Sequence, residues 1–459
     1  MSGPERAGAD ELTRAPIPTL VRRLAVPSAT AMALQTVFNV TNSYWAASWS
    51  TEALAAVATA FPIFFVIIAA SFGFGQGTAA LLAHALGAGE TREARRLWGQ
   101  ALLLATLAGL IVALAGSAGA PILAGLLGAR EPVRAQVVAY ILPLLGAGPL
   151  FLVAAVLNAA LTATGDTRSL RDAVASATLV NAGLVPVLMY GAGPLPALGV
   201  VGIAASHLAV QAGQLAWLGW RAGRTGLARG LSLRDVLPCP ALASRVLRQV
   251  LPNTMTMMAT GVGLAVVTAF AARHGPAAVA AYGVALRIEQ LVLLPTLGLN
   301  AATVALVGRN LGAGRPDRAV ESVRVALAAG VGLMSAGALL VYLGRSPLLA
   351  IFTEDPLVRE LGVVYLGLAV LAFPAYAVVI LGAGVLQGLR RPLPALLVGI
   401  GRHIVAPPLV LWSLDVALGL GFAGLALAMP LISWAGALTT GGLIRCYLPR
   451  PEASAGASA

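Results

Sequence analysis

Apolar runs long enough to cross a membrane recur along the whole length of this 459-residue chain. Each can span a hydrocarbon core of about 30 Å as a helix, a form in which the backbone satisfies its own hydrogen bonds inside lipid. Charged residues make up only 10% of the chain, against about 25% in an ordinary soluble domain. The sequence therefore predicts an all-α integral membrane protein.

The apolar runs predict twelve transmembrane helices. Their expected borders are 21–47, 54–84, 97–120, 134–162, 171–190, 199–221, 246–271, 278–308, 321–344, 360–387, 394–414 and 423–445. The longest linker separates two six-helix lobes, and short polar tails flank them. This gives a tail at 1–20, an N-lobe at 21–221, a linker at 222–245, a C-lobe at 246–447 and a tail at 448–459.

The net charge of +12 comes from arginine alone, because the chain contains no lysine. Most of these arginines fall in alternate loops, a bias typical of cytoplasmic loops rather than of a nucleic-acid partner. The bias predicts a multi-pass protein of the cell (inner) membrane with both termini in the cytoplasm. Membrane lipids and small-molecule substrates are the expected partners, and we expect a monomer. The outer loops hold only Arg130, Arg134, Arg273, Arg345 and Arg359.

An internal repeat organises the chain, with an offset of 225 positions. Each half holds six helices, an even number, so the halves share one orientation and a pseudo-twofold axis along the membrane normal is expected. That arrangement predicts a cavity between two lobes and alternating access. A duplicated bundle can also form a channel, but no selectivity-filter-like loop or ring of charge is visible. The offset pairs Pro27 with Pro252, Gly73 with Gly298, Tyr140 with Tyr365, Pro149 with Pro374, and the Leu-Gly-Ala-Gly motif at 86–89 with that at 311–314.

Proline inside a helix removes a backbone hydrogen bond and can kink the helix. Pro149 and Pro374 are repeat mates, so equivalent kinks are predicted in the fourth and tenth helices.

Several short motifs occur in order along the chain. They are Leu24-Ala25-Val26-Pro27, the segment 35–42 (QTVFNVTN), both Leu-Gly-Ala-Gly motifs, the segment 281–289 (AYGVALRIE) and the segment 307–312 (VGRNLG). Taken together, these motifs resemble the multidrug and toxic compound extrusion (MATE) family, nearest its DinF-like branch. The resemblance covers nearly the whole chain and implies two six-helix lobes. It also implies efflux of cationic or amphiphilic compounds, driven by inward movement of H+ or Na+, with no other cofactor.

One position departs from the family pattern. Many members carry an acidic residue in the first helix where this chain has Asn42. An asparagine can coordinate Na+ through its amide oxygen but cannot take up a proton. The resemblance therefore does not supply a proton site in the N-lobe.

Glu289 is the acidic residue that lies deep in a predicted helix. A charge at mid-membrane costs roughly 2.5–3.5 kcal/mol, so Glu289 is expected to face a cavity or a partner. Arg287 points roughly 200° away on the same helix, which makes Arg402 or His403 of the eleventh helix the better partner. Two interpretations stay open: a proton or cation site, or a structural ion pair.

Polar residues also mark the N-lobe. Three of them follow one face of the first helix, at spacings of four and three residues, and should face protein or water rather than lipid. They are candidates for a coupling-ion or substrate site, although hydrogen bonds between helices are the alternative. The coupling-site candidates are Gln35, Asn39, Asn42 and Asn181, together with Glu289. The ion-pair or cavity candidates are Arg287, Arg402, His403, His207 and Gln211.

Aromatic and methionine side chains are candidates for the substrate wall. Aromatic faces attract organic cations, and methionine adapts to varied shapes. Contact with lipid or between helices is the competing interpretation. The candidates are Phe38, Tyr44, Trp45, Phe61, Met255, Met257 and Met258.

The sequence predicts a transporter rather than an enzyme. It lacks a phosphate-binding loop, a metal-ligand cluster and a nucleophile–base constellation. We expect a secondary active multidrug efflux transporter that works by H+ or Na+ antiport. The alternative is a flippase for a lipid-linked oligosaccharide precursor, which should line its cavity with several basic residues. Deep in the predicted helices only Arg287 and Arg402 qualify.

Overall fold

The structure, a computed structural model, describes residues 11–449, so the outer parts of the two predicted tails, 1–10 and 450–459, lie outside the described residues. Within this range the chain forms twelve helical spans, which confirms the predicted all-α fold. We number them α1 to α12. They are α1 Ile17–Trp49, α2 Thr51–Gly87, α3 Thr91–Leu126, α4 Val133–Gly146 with Gly148–Ala163, α5 Arg168–Tyr190, α6 Val200–Gly223, α7 Pro240–Ala272, α8 Pro276–Gly312, α9 Pro316–Phe352, α10 Pro356–Gly388, α11 Pro392–Ala417 and α12 Gly421–Tyr447.

Most helices extend beyond their predicted borders, because an apolar pattern marks only the part of a helix that lies in lipid. The ninth helix, predicted at 321–344, runs from Pro316 to Phe352. Proline begins each of α7 to α11, at a position where its missing N–H has no helical partner to lose. The Asp355 carboxylate caps α10 by accepting the backbone N–H of Leu357 at 2.9 Å.

Nine single spans and the bent pair of α4 are long and apolar enough to cross a membrane, counted over residues 11–449. The remaining two, α1 and α6, hold half of the polar and charged residues that the sequence singled out. Polar side chains in membrane helices associate with protein or water. The two least apolar spans are therefore the ones expected to face a polar interior.

Breaks in the helices occur at repeat-related positions. The two parts of α4 meet at Ala147 with a bend of 47°, and α10 passes through a 3-10 segment at Val370–Ala372. Both breaks lie just before the predicted kink prolines, Pro149 and Pro374. The eleventh span is broken differently, by π-helical segments at Gly401–Val405 and Trp412–Ala417.

Packing groups the described residues into two compact units. Unit 1 contains residues 30–86 and 90–254, and unit 2 contains residues 11–29, 87–89 and 255–449. The grouping therefore divides α1 and α7 internally, after residues 29 and 254, instead of following the predicted lobes at 21–221 and 246–447. Each unit has its own apolar core, which includes Leu97, Ile141 and Leu152 in unit 1 and Tyr365 and Phe373 in unit 2.

In unit 1, α2 crosses the first part of α7 at a glycine. A Cβ atom on Gly73 would lie 2.9 Å from both the backbone nitrogen of Thr254 and the carbonyl oxygen of Val250. Both distances are too short for real carbon contacts. The crossing therefore depends on the absence of a side chain at Gly73.

In unit 2, α8 crosses the first part of α1 in the same way. A Cβ atom on Gly298 would lie 2.6 Å from the carbonyl oxygen of Ala25 and from the backbone nitrogen of Ala29. Gly298 is the repeat mate of Gly73, and these two contact positions are the repeat mates of residues 250 and 254. The paired glycines are thus explained by two equivalent helix crossings.

The linker between α6 and α7 is bound to α3 of unit 1. The Gln100 amide nitrogen donates to the carbonyl oxygens of Asp235 (3.2 Å) and Leu237 (2.6 Å), and its amide oxygen accepts the backbone N–H of Cys239 at 3.0 Å. Within the linker, the backbone N–H and the hydroxyl of Ser232 donate to the Asp235 carboxylate, which holds the pKa of Asp235 below its usual value. The linker therefore packs as part of unit 1.

The glycine crossings predict a specific loss of stability. Gly73→Ala and Gly298→Ala should each destabilise the protein by about 1–3 kcal/mol, because the added methyl group overpacks a backbone contact. Thermal unfolding of the purified variants measures this effect. Gly332→Ala and Gly441→Ala are matched controls, since a Cβ atom there meets open space. If the control variants lose as much stability as the crossing variants, the explanation is wrong.

The arginine bias predicts the orientation in the membrane. On a background with Cys239→Ser and Cys446→Ser, Arg130→Cys should react with a membrane-impermeant maleimide in intact cells. Arg234→Cys should react only after the membrane is opened. Both arginines are exposed. Labelling of the introduced cysteines should therefore depend on the side of the membrane on which they lie, and not on burial in the protein. Labelling of Arg234→Cys alone in intact cells would reverse the predicted orientation.

Candidate functional site

Three neutral polar side chains from α1, α5 and α6 form a buried chain in unit 1. The Asn181 amide nitrogen donates to the amide oxygen of Asn42 at 2.7 Å, and the Ser206 hydroxyl donates to the amide oxygen of Asn181 at 2.8 Å. All three residues are buried. The chain therefore joins two of the predicted coupling candidates, Asn42 and Asn181, through a hydrogen bond between helices.

The other two candidates on α1 lie elsewhere. Gln35 and Asn39 are exposed, whereas Asn42 is buried. Helical spacing places the three on one side of α1, but only Asn42 lies where α5 and α6 pack against this helix. The predicted four-residue set is therefore divided into a buried pair and two exposed amides.

His207 of α6 is enclosed by aromatic rings. Its imidazole packs edge-on against Phe38, Phe64 and Phe151, with ring centroids 4.8, 5.6 and 5.4 Å away. His207 and Gln211 are both buried. Phe38, a predicted wall residue, is 3% exposed and packs inside unit 1 in this structure.

The remaining predicted wall residues differ in exposure. In unit 1, Tyr44 and Phe61 are exposed, and Trp45 is half-buried against Tyr44. In unit 2, Met255 and Met258 are exposed and Met257 is half-buried. These residues are open to a ligand or to lipid, and the structure holds neither.

Glu289 of α8 is buried inside unit 2, at 4% exposure. The Tyr376 hydroxyl donates a long hydrogen bond of 3.5 Å to its Oε2 atom, and the buried Tyr365 ring also lies beside the carboxylate. Among residues 11–449, Oε1 has no hydrogen-bond partner. The carboxylate therefore lies in a pocket of tyrosines with one oxygen free.

The sequence predicted Arg402 or His403 as the direct partner of Glu289, and the structure corrects this. In the described part of the chain, Glu289 forms no ion pair. Instead the Arg402 guanidinium lies 4.8 Å from the centroid of the Tyr376 ring. Arg402 and His403 belong to the first π-helical segment of α11, a feature often found at functional sites. Tyr376 therefore stands between the buried acid and the arginine.

His403 contacts Arg402, with 3.5 Å between its Nε2 and the Arg402 Nη1. A Cβ atom on Gly263 would come within 2.8 Å of the His403 carbonyl oxygen, so α7 and α11 pack closely at this residue. Arg287 is exposed, while Glu289, two residues further on, is buried. Their opposite directions follow from helical geometry.

The repeat shows what the sequence reasoning missed. Glu289 and Tyr376 occupy the positions of Phe64 and Phe151 in the first repeat. Those two phenylalanines pack together in unit 1 at 5.5 Å between ring centroids. The sequence identified Glu289 as unusual but not Tyr376. The contact could have been found by asking which residues pair at the equivalent place in the other repeat.

Comparison with known proteins reproduces the internal repeat of the chain. The family model described as MatE matches twice, at residues 27–187 and 252–412, and the two matches are separated by the repeat offset. A relative from Shewanella oneidensis named FAD transporter is 28% identical, with 92% of each chain covered. A relative from Bacillus subtilis named probable multidrug resistance protein YoeA is 26% identical over 72% of each chain.

The fold is similar to that of solved transporters. A MOP superfamily transporter from Pyrococcus furiosus aligns with a TM-score of 0.89 and 22% sequence identity, covering 95% of this chain and 97% of that one. The two MatE matches together span well over half of the sequence. The chain is therefore a multi-pass membrane protein that belongs to the MATE family, whose members are transporters and not enzymes.

Proposed function

We propose that this protein exports small amphiphilic or cationic compounds by alternating access, driven by inward movement of H+ or Na+. The proposal is supported by the duplicated MatE architecture and by relatives named as multidrug resistance proteins. The observation that carries it is the buried Glu289 carboxylate, which has one oxygen without a partner among the described residues. Such a group can take up a proton or a cation.

The contacts of Glu289 favour a coupling role over a structural ion pair. A buried carboxylate paired directly with arginine would be fixed in its charged form. Here a phenol, Tyr376, lies between Glu289 and Arg402. A phenol can donate to the charged carboxylate and can equally accept from the protonated one. Glu289 can therefore change its charge without breaking an ion pair.

The amides of unit 1 suit a different role. The amide oxygen of Asn42, the atom that would coordinate Na+, already accepts a hydrogen bond from Asn181. We assign Asn42, Asn181 and Ser206 mainly to joining α1, α5 and α6. Gln35 and Asn39 stay candidates for contact with the coupling ion or the substrate, because their side chains are exposed.

A second candidate function is export of an anionic aromatic solute. The relative from Shewanella oneidensis is named FAD transporter and is covered over 92% of its length. The exposed cation on α8, Arg287, is the feature of this chain that suits such a solute. The flippase alternative is less well supported, because deep in the spans Arg287 and Arg402 are the only candidates for binding lipid phosphate, and Arg402 packs on Tyr376.

The coupling proposal predicts the effect of removing one charge. Glu289→Gln should abolish dye efflux driven by an H+ or Na+ gradient in reconstituted vesicles, because an amide keeps the shape but cannot change its charge. Movement of the dye down its own concentration gradient should remain. Glu360→Gln is the matched control, since Glu360 is an exposed acid of the same unit. Normal efflux by Glu289→Gln under both gradients would show that coupling lies elsewhere.

The role assigned to the amide chain predicts a loss of stability. Asn181→Ala should destabilise the protein by about 1–3 kcal/mol, because it leaves Asn42 and Ser206 buried without their partner. Asn39→Ala should change the melting temperature little, since Asn39 is exposed. If Asn42→Ala instead keeps the stability but abolishes Na+-driven efflux, the coupling site includes unit 1.

A further inference from the structure

Arg287 lies about three turns into α8, and its side chain is exposed while its neighbours Ile288 and Glu289 are buried. A charged side chain at this depth is costly against lipid and normally faces water or a charged partner. Arg287 therefore marks the side of α8 that is turned toward water or toward a bound anion.

Arg287 has no acidic partner among the residues that the structure describes. Across residues 11–449, no carboxylate forms an ion pair with its guanidinium. The acid nearest in sequence, Glu289, points to the other side of α8 and contacts Tyr376. The guanidinium is thus free to bind an anion that is not part of this unit.

The neighbours of Arg287 on the same face complete a small amphiphilic surface. Gln290 and Leu291 follow it by three and four residues, spacings that place side chains next to each other on a helix. Both are exposed. The equivalent position in the first repeat is Pro62, so the packing shared by the two repeats does not require a cation here.

We propose that Arg287 and Gln290 bind the phosphate group of an amphiphilic solute that the protein exports, with the apolar part of the solute against Leu291. The guanidinium offers a planar pair of N–H donors that matches phosphate oxygens, and the Gln290 amide adds a donor for a further oxygen. The inference rests on the proposed export function and adds phosphate-bearing amphiphiles to the compounds that the protein exports.

The test compares two ligands that differ by one phosphate. Riboflavin and riboflavin 5′-phosphate are titrated against the full-length protein in phosphatidylcholine nanodiscs, with flavin fluorescence as the readout. The wild type should prefer the phosphorylated form, and Arg287→Ala should lose about tenfold to a hundredfold of that preference, the worth of a charge-assisted hydrogen bond. Arg287→Lys should keep part of this preference, because lysine keeps the positive charge. The rest should be lost, because lysine lacks the planar pair of N–H donors of arginine.

Arg324→Ala is the matched control, since Arg324 is another exposed arginine of unit 2; it should keep the full preference. Equal binding of the two flavins by the wild type, or an unchanged preference in Arg287→Ala, would overturn the inference. The inference would also be overturned if Arg287→Ala lost co-purified phosphatidylglycerol while its flavin preference stayed unchanged. That result would show that Arg287 binds the phosphate of a lipid headgroup. Gradient-driven efflux of a cationic dye by the wild type is measured separately, so failure of the export function is distinguishable from failure of this site.

Discussion

Close helix crossings without an intervening side chain underlie the packing inside each unit. Helices in lipid gain little from the hydrophobic effect when they associate, so close backbone packing has to supply the attraction. Gly73 and Gly298 allow this contact at equivalent points of the repeat. Their partners are the first part of α7 in unit 1 and the first part of α1 in unit 2. Each compact unit therefore includes a helix segment from the other half of the sequence.

The two units share this framework and differ in their chemistry. The contact made by Phe64 and Phe151 in unit 1 is made by Glu289 and Tyr376 in unit 2. In unit 1 the adjacent imidazole of His207 packs among aromatic rings, and the buried amides of Asn42 and Asn181 are hydrogen-bonded to each other. In unit 2 the same place holds a carboxylate with an unused oxygen.

This asymmetry supports the proposed coupling role of Glu289. An unsatisfied polar group buried away from water is costly, and ionisable groups inside membrane proteins are usually functional. In the described part of unit 1, unpaired atoms inside the spans such as Ser71 Oγ of α2 and Asn158 Oδ1 of α4 are neutral, whereas the Glu289 carboxylate of unit 2 is ionisable. The same helix exposes a cation on its opposite side at Arg287. A single span, α8, thus presents a buried acid to the interior and a basic group to the outside of the unit.

The sequence by itself determined the features that depend on lipid thickness and helical period. These are the twelve spans, the offset of the repeat with its paired glycines and prolines, and the opposite directions of Arg287 and Glu289. Only the tertiary structure decided what packs on each face. The contact of Glu289 with Tyr376 joins residues 87 positions apart, and that of Asn42 with Asn181 joins residues 139 apart. Helical periodicity tells which side of a helix a residue occupies, but the partner on that side is set by how distant helices pack. For this reason the sequence predicted Arg402 or His403 as the partner of Glu289, while the structure places Tyr376 in contact with both Glu289 and Arg402.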